Sequence, residues 1–217
     1  MRLDAHHSFT ERYPLIVLET ILKRNRFDGS ILVAEAVDFA SLPEFVRGVV
    51  IQTDAADPRL LDEYRRDVRF RGVCALACDF ADLAACGLTL DFPGPLGAVP
   101  ALAELHPGLR IAIPNLGNPE GEFDDRRAEA LAAAAHCPNV YCKLSGIVGN
   151  RRQAVEHAIR CFGPERLMFG SNWPAHLPEH AWKASLAGFT QSIGARTIEF
   201  REQLLGGTAA RFYGIGQ

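Results

Sequence analysis

Short apolar runs of strand length alternate with helix-patterned stretches from one end of the chain to the other. The strand candidates are Arg2 to His6, Ser30 to Ala36, Gly48 to Thr53, Gly72 to Ala77, Leu88 to Phe92, Arg110 to Asn115, Val140 to Ser145 and Leu167 to Ser171. Most are near-continuously apolar instead of alternating, which is the pattern of parallel strands covered on both faces. Between them, Leu15, Leu18, Ile21 and Leu22 form an apolar helical stripe, and Lys23, Arg24 and Arg26 suit the negative end of that helix. Ser41 with Glu44 reads as a capping box, Asp57-Pro58 as a cap followed by a first-turn proline, and Asp79 and Asn150 as further caps. The Ala-rich stretch Arg126 to Ala135 is helical by propensity, Glu199 to Leu205 and Ala209 to Tyr213 are closing helices, and Gly117 to Asp124 is the clearest long loop.

Roughly eight βα units with no linker between them predict one domain over residues 1–217. That number favours a compact (β/α)8 TIM barrel of the α/β class over an open doubly wound sheet, which commonly has five or six strands. A chain of 217 residues is short for this fold, so the loops at the catalytic end are brief and the mouth is shallow or open.

Composition narrows the function classes. The chain is 48% hydrophobic and 23% charged, with a net charge of -3, and no basic excess points to a nucleic-acid or anionic-membrane partner. A small-molecule ligand, a protein partner or a second copy of the chain remain open. The start Met1-Arg2-Leu3-Asp4 lacks a secretory pattern and no apolar run approaches the roughly 18 residues that span a bilayer, so the expected location is cytoplasmic. Six cysteines (74, 78, 86, 137, 142 and 161) form no close pair and read as reduced thiols, not as a zinc ribbon or redox dithiol.

Four segments, in order, carry a resemblance: Asp4-Ala5-His6-His7-Ser8-Phe9, Ile113-Pro114-Asn115-Leu116-Gly117-Asn118-Pro119, Asn139-Val140-Tyr141-Cys142-Lys143-Leu144-Ser145-Gly146 and Arg166-Leu167-Met168-Phe169-Gly170-Ser171-Asn172-Trp173-Pro174. With Gly207-Thr208-Ala209-Ala210-Arg211-Phe212-Tyr213, they resemble the amidohydrolase-related superfamily, in the branch of sugar-acid and pyrone-dicarboxylate lactonases and some decarboxylases. The resemblance implies two alternating histidines on the first strand, one near the end of the sixth and an aspartate ending the eighth. Here His6 matches the first, Ser8 stands for the second, Asn115 for the third and Asn172 for the aspartate. On the fourth strand, Arg71-Gly72-Val73-Cys74 ends in a thiol where relatives often carry an arginine.

Strand alternation puts Asp4, His6 and Ser8 on one face and His7 on the other, so only a local bulge re-aims His7. A catalytic zinc takes about three protein ligands, and one histidine with two amides falls short, so neither metal nor other cofactor is expected. His176 and His180 have the spacing for a relocated site but lack a third ligand, and read better as exposed loop histidines. Some relatives hydrolyse lactones without metal, using the final aspartate as base, and an amide has no lone pair that accepts a proton near neutral pH.

Lys143 is the charged group that survives, with Tyr141 and Ser145 on its strand face. It reads as a salt-bridged structural lysine, a substrate-carboxylate anchor or an amine with depressed pKa, with Asp4, Glu35, Asp54 and Asp91 as candidate counter-ions. His6 is a base, a ligand contact or a core histidine bonded to Asp4 or Asn172. The candidate catalytic set is His6, Lys143 and Asp91, and the candidate substrate-binding set is Ser8, Asn115, Asn172, Trp173, Tyr141 and Ser145. Three functions remain in view: a divergent, metal-free hydrolase of lactone, ester or amide bonds, a non-catalytic barrel that binds or scaffolds, and a decarboxylase or lyase on the same frame.

Overall fold

The computed structural model describes residues 1–53, 58–117, 123–147, 151–175 and 181–216. Eight strands run in chain order around one sheet, each parallel to the next. They are β1 (Leu3–His7), β2 (Gly29–Ala34), β3 (Val46–Gln52), β4 (Phe70–Cys74), β5 (Thr89–Asp91), β6 (Arg110–Ile113), β7 (Val140–Ser145) and β8 (Leu167–Gly170). The circle closes just past β8, where the Asn172 amide donates to His6 O at 2.8 Å and the Ser8 amide to Trp173 O at 2.7 Å. The result is a (β/α)8 TIM barrel whose strands lie within a few residues of the predicted runs.

Two apolar clusters explain why the strands carry no alternation. Leu3, Ala5, Ile31, Val33, Val50, Ala112 and Met168 fill the barrel interior. Leu32, Val49, Ile51, Leu90, Ile111, Leu144 and Phe169 face the opposite way, under the surrounding helices. Both faces are buried, so both are apolar.

The helices are α1 (Leu15–Arg24), α2 (Pro58–Tyr64), α3 (Phe80–Ala85), α4 (Val99–Leu105), α5 (Asp125–Ala135), α6 (Arg152–Phe162), α7 (Ala181–Ile193), α8 (Ile198–Glu202) and α9 (Thr208–Tyr213). In α1, Leu18 and Leu22 are buried and Lys23 and Arg24 occupy the last turn. Asp79 caps α3 through the Asp82 amide at 2.9 Å, as its position in the sequence implied. The π-turn Gln203–Gly207 joins α8 to α9, and α9 places Phe212 and Tyr213 against the inner cluster as the barrel floor.

One predicted helix does not form. The Ser41/Glu44 signature yields only a 3-10 turn, Phe39–Ser41, and its cap is Asp38, which accepts from the Ala40 amide at 3.0 Å. Leu42 is extended ahead of Pro43, as a residue before proline prefers, so no helix continues. Arg69 then captures the carbonyls of Phe39 and Leu42, and the Phe39 ring packs on Tyr64. The caps assigned to Asp57 and Asn150 lie outside the described residues. All six cysteines are free. Among the described residues no helix is long and apolar enough to cross a membrane.

Candidate active site

The site begins with an irregularity in β1. Between Asp4 and His7 the first strand advances three residues while β2 advances two, from Ser30 to Leu32. This bulge separates Asp4 from His6, which simple alternation had placed on one face. Asp4 lies on the outer side, where its buried carboxylate accepts from the Ser171 amide at 2.8 Å, the Trp182 indole of α7 at 2.7 Å and the His6 amide at 3.3 Å. It thus ties β1, β8 and α7 together, instead of pairing with the His6 ring or with Lys143. His7 remains on the outer face, its Nε2 2.8 Å from Ser30 Oγ, and burial lowers its pKa despite the Asp4 carboxylate nearby.

His6 instead heads a polar chain that descends the barrel axis. Its Nδ1 lies 3.5 Å from Lys143 Nζ, which forms a close ion pair with Asp91 Oδ2. The other Asp91 oxygen accepts from the Tyr213 hydroxyl at 3.0 Å, and the ammonium also faces the Tyr213 ring 5.4 Å away. Lys143 and Asp91 are each 0% exposed, so neither charge has water to fall back on. A buried pair holds only while both members are present.

An ammonium has donors and no acceptor, so the contact with His6 requires the ring proton on Nε2 and a free lone pair on Nδ1. Burial and then the Lys143 charge push the His6 pKa well below its usual value, which keeps the ring neutral. Gly170 makes room for this arrangement: a Cβ there would come within 2.7 Å of His6 Cβ and 2.9 Å of Ser145 Cβ.

Above the chain is a pocket of about 300 Å³ at the C-terminal ends of the strands, the end at which barrels of this kind carry out chemistry. His6, Asn115 and Asn172 line it together with Thr53, Cys74 and Phe92. Both asparagines are left-handed, with φ of 50° at Asn115 and 54° at Asn172, a conformation that Asn tolerates better than most residues. Ser145 fixes Asn115 twice, donating to its side-chain oxygen and accepting from its amide at 3.0 Å. The Cys74 thiol is pushed up to about 12 by burial and then by Asp91, so it is no nucleophile at neutral pH.

The predicted residues therefore divide. His6, Lys143 and Asp91 form one connected chain; Asn115 and Asn172 line the pocket, and Ser145 supports Asn115. Three others are elsewhere. Tyr141 shares the inward face of β7 but packs at a tilt against Phe212 at the floor, with ring centroids 4.8 Å apart, two strand steps below Lys143. Trp173 is 2% exposed and packs edge-on against Tyr13 in the outer cluster, so it does not form the pocket wall. Ser8 is not in the pocket lining; its amide serves barrel closure. Glu35 is exposed, and Asp54, His176 and His180 lie outside the described residues. Tyr213 was missed, because nothing in its local sequence shows that it reaches a carboxylate 122 positions earlier.

One imidazole whose Nδ1 faces an ammonium, with two carboxamides beside it, does not fit zinc, which takes about three ligands from imidazole, carboxylate or thiolate. Among the described residues no group of three His, Cys, Asp or Glu side chains converges as a metal site.

Fold and site together define a (β/α)8 barrel with its polar groups gathered at the strand C-terminal ends. The family model described as amidohydrolase matches residues 96–215, more than half of the chain, and the protein belongs to that family. Among curated proteins it is similar to the L-fucono-1,5-lactonase of Burkholderia ambifaria, with 30% identity over 82% of this chain and 74% of that one. It is also similar to the L-fucono-1,5-lactonase of Burkholderia multivorans, with 35% identity over 58% of this chain and 50% of that one. Among solved structures, a Burkholderia multivorans amidohydrolase with bound zinc superposes with a TM-score of 0.82 at 25% identity, covering 99% of each chain. The fold is also that of a 2-pyrone-4,6-dicarboxylic acid hydrolase, so far unproven in its activity, from Pseudomonas putida, with a TM-score of 0.80 at 21% identity over 100% of this chain and 98% of that one.

Proposed function

We propose that this protein is a metal-independent hydrolase of sugar-acid lactones, in which neutral His6 polarises the lactone carbonyl. The observation that carries the reading is the Lys143 to His6 contact beneath an open pocket of about 300 Å³. With Nδ1 committed to the ammonium, the imidazole presents Nε2–H as a donor, and a neutral imidazole is a competent electrophile for a carbonyl oxygen. Similarity to L-fucono-1,5-lactonases supports the substrate class, a six-membered lactone bearing hydroxyl groups that the Asn115 and Asn172 amides suit.

Water adds to the carbonyl carbon, and the developing oxyanion is met by His6 Nε2–H, with the Lys143 charge behind the ring. The ring C–O bond then breaks, the ring oxygen takes up the proton lost by water, and the product is the open hydroxy acid. No side chain acts as a strong base in this scheme. His6 is a poor one, because its imidazolium would stand against Lys143.

A scaffolding role calls for a filled or occluded mouth, and the open pocket favours the hydrolase reading. The test is acid release from L-fucono-1,5-lactone and related aldonolactones, compared with the spontaneous rate. Wild type is expected to exceed that rate, and His6→Phe is expected to lose on the order of 10² in kcat/KM, as on removal of an oxyanion donor, while remaining folded. Wild type at the spontaneous rate, or a fully active His6→Phe, contradicts the proposal.

A further inference from the structure

At the opposite end of the barrel, a cleft of about 480 Å³ opens among the N-terminal ends of β4, β5 and β6. Arg65, Arg71 and Arg110 border it, and they differ in how their charge is answered. Arg65 is ion-paired with Asp62 and Asp82. Asp67, also at the cleft, is held by Arg69 through bonds of 3.0 and 2.9 Å. Arg110 donates to the carbonyls of Phe212 and Gly87, each at 2.6 Å, and of Arg211 at 3.3 Å, neutral partners that leave its positive charge whole.

Arg71 has no such outlet. Among the described residues its Nε is buried without a hydrogen-bond partner, and the nearby carboxylates are taken by Arg65 and Arg69. Its stem is held against the barrel floor, where a Cβ added to Gly48 would come within 3.0 Å of Arg71 Cγ. Burial and then the charge of Arg110 lower its pKa, as two guanidinium groups bordering one cleft would, and among the described residues the one carboxylate in the cleft lining, Asp67, is engaged by Arg69. An unmatched, partly desolvated cation is costly, and a planar guanidinium is shaped for an oxyanion.

We propose that this cleft is a binding site for a small oxyanion, a phosphate or carboxylate group, with Arg71 supplying unmet donors and Arg110 the second positive charge. The site is separate from the mouth pocket and independent of the reaction proposed there. The experiment is thermal unfolding of the whole chain in phosphate and in citrate, against sodium chloride of equal ionic strength. At about ten times the dissociation constant, the better anion is expected to raise the wild-type melting temperature by roughly 3–6 °C beyond chloride, and the larger rise identifies the class. Arg71→Gln is expected to abolish the rise and, in anion-free buffer, to melt no lower than wild type, since it removes an unanswered charge. Arg71→Lys, a second variant that keeps the charge but not the fork, is expected to lose most of the rise. A wild type without a rise, or an Arg71→Gln protein that keeps it, overturns the proposal.

Discussion

Lys143 Nζ faces His6 Nδ1 at 3.5 Å, so a charge matched from below by Asp91 decides which nitrogen of the imidazole carries the proton. In the proposed reaction this makes His6 a donor to the substrate and denies it the role of base. The pH profile of kcat/KM on a lactone is therefore expected to show no histidine limb between about pH 6 and 8, because the His6 pKa lies well below 6.5. A profile that rises through an apparent pKa near 7 points to a general base and contradicts this assignment.

The same shift bears on stability. His6 and His7 both have folded-state pKa values lowered from 6.5, so below that pH the unfolded chain binds protons that the native chain refuses. Their contribution is present above pH 6.5 and is lost as pH falls toward the folded values. Urea midpoints are expected to drop from about pH 7 to pH 5, and the drop is expected to be shallower in His6→Asn. An unchanged slope in that variant contradicts burial of a neutral His6.

Removing one partner of the buried ion pair strands the other. Lys143→Met and Asp91→Leu are each expected to destabilise by about 3–5 kcal/mol, whereas the double variant recovers much of the loss because no lone charge is left. Tyr213→Phe, which deletes a hydrogen bond to the same carboxylate, is expected to cost about 1.5–3 kcal/mol. Denaturant titration of the four variants beside wild type checks the order, and a double variant no more stable than either single variant contradicts it.

Asn172 stands at the pocket in the left-handed conformation that aspartate also tolerates. Asn172→Asp adds a carboxylate able to accept the proton of water, and general-base assistance is worth about 10²–10⁴ in rate. The variant is expected to hydrolyse lactones faster than wild type by at least the lower of those factors. A slower Asn172→Asp would mean that the amide has a role a carboxylate cannot take over.

The barrel was legible because parallel strands buried on both faces leave unmistakable apolar runs. Local signals failed where longer-range contacts decided the outcome. Ser41 and Glu44 had the chemistry of a helix start, yet Leu42-Pro43 and the reach of Arg69 left a 3-10 turn. Alternation placed Asp4 beside His6 until the β1 bulge moved them apart, and no composition signal marks a bulge in a strand without glycine. Lys143 was identified as a charge in need of a partner, but the choice of Asp91 over three other carboxylates, and the part of Tyr213, depend on barrel closure.

In the proposed reaction the mouth of this barrel works with uncharged donors in place of a metal. Metal content of protein purified without chelator, measured beside lactone turnover with and without EDTA, separates this from metal-assisted hydrolysis. Turnover is expected to survive EDTA in protein holding far less than one transition-metal ion per chain; a stoichiometric metal whose removal abolishes turnover, and whose return restores it, would overturn a metal-independent mechanism.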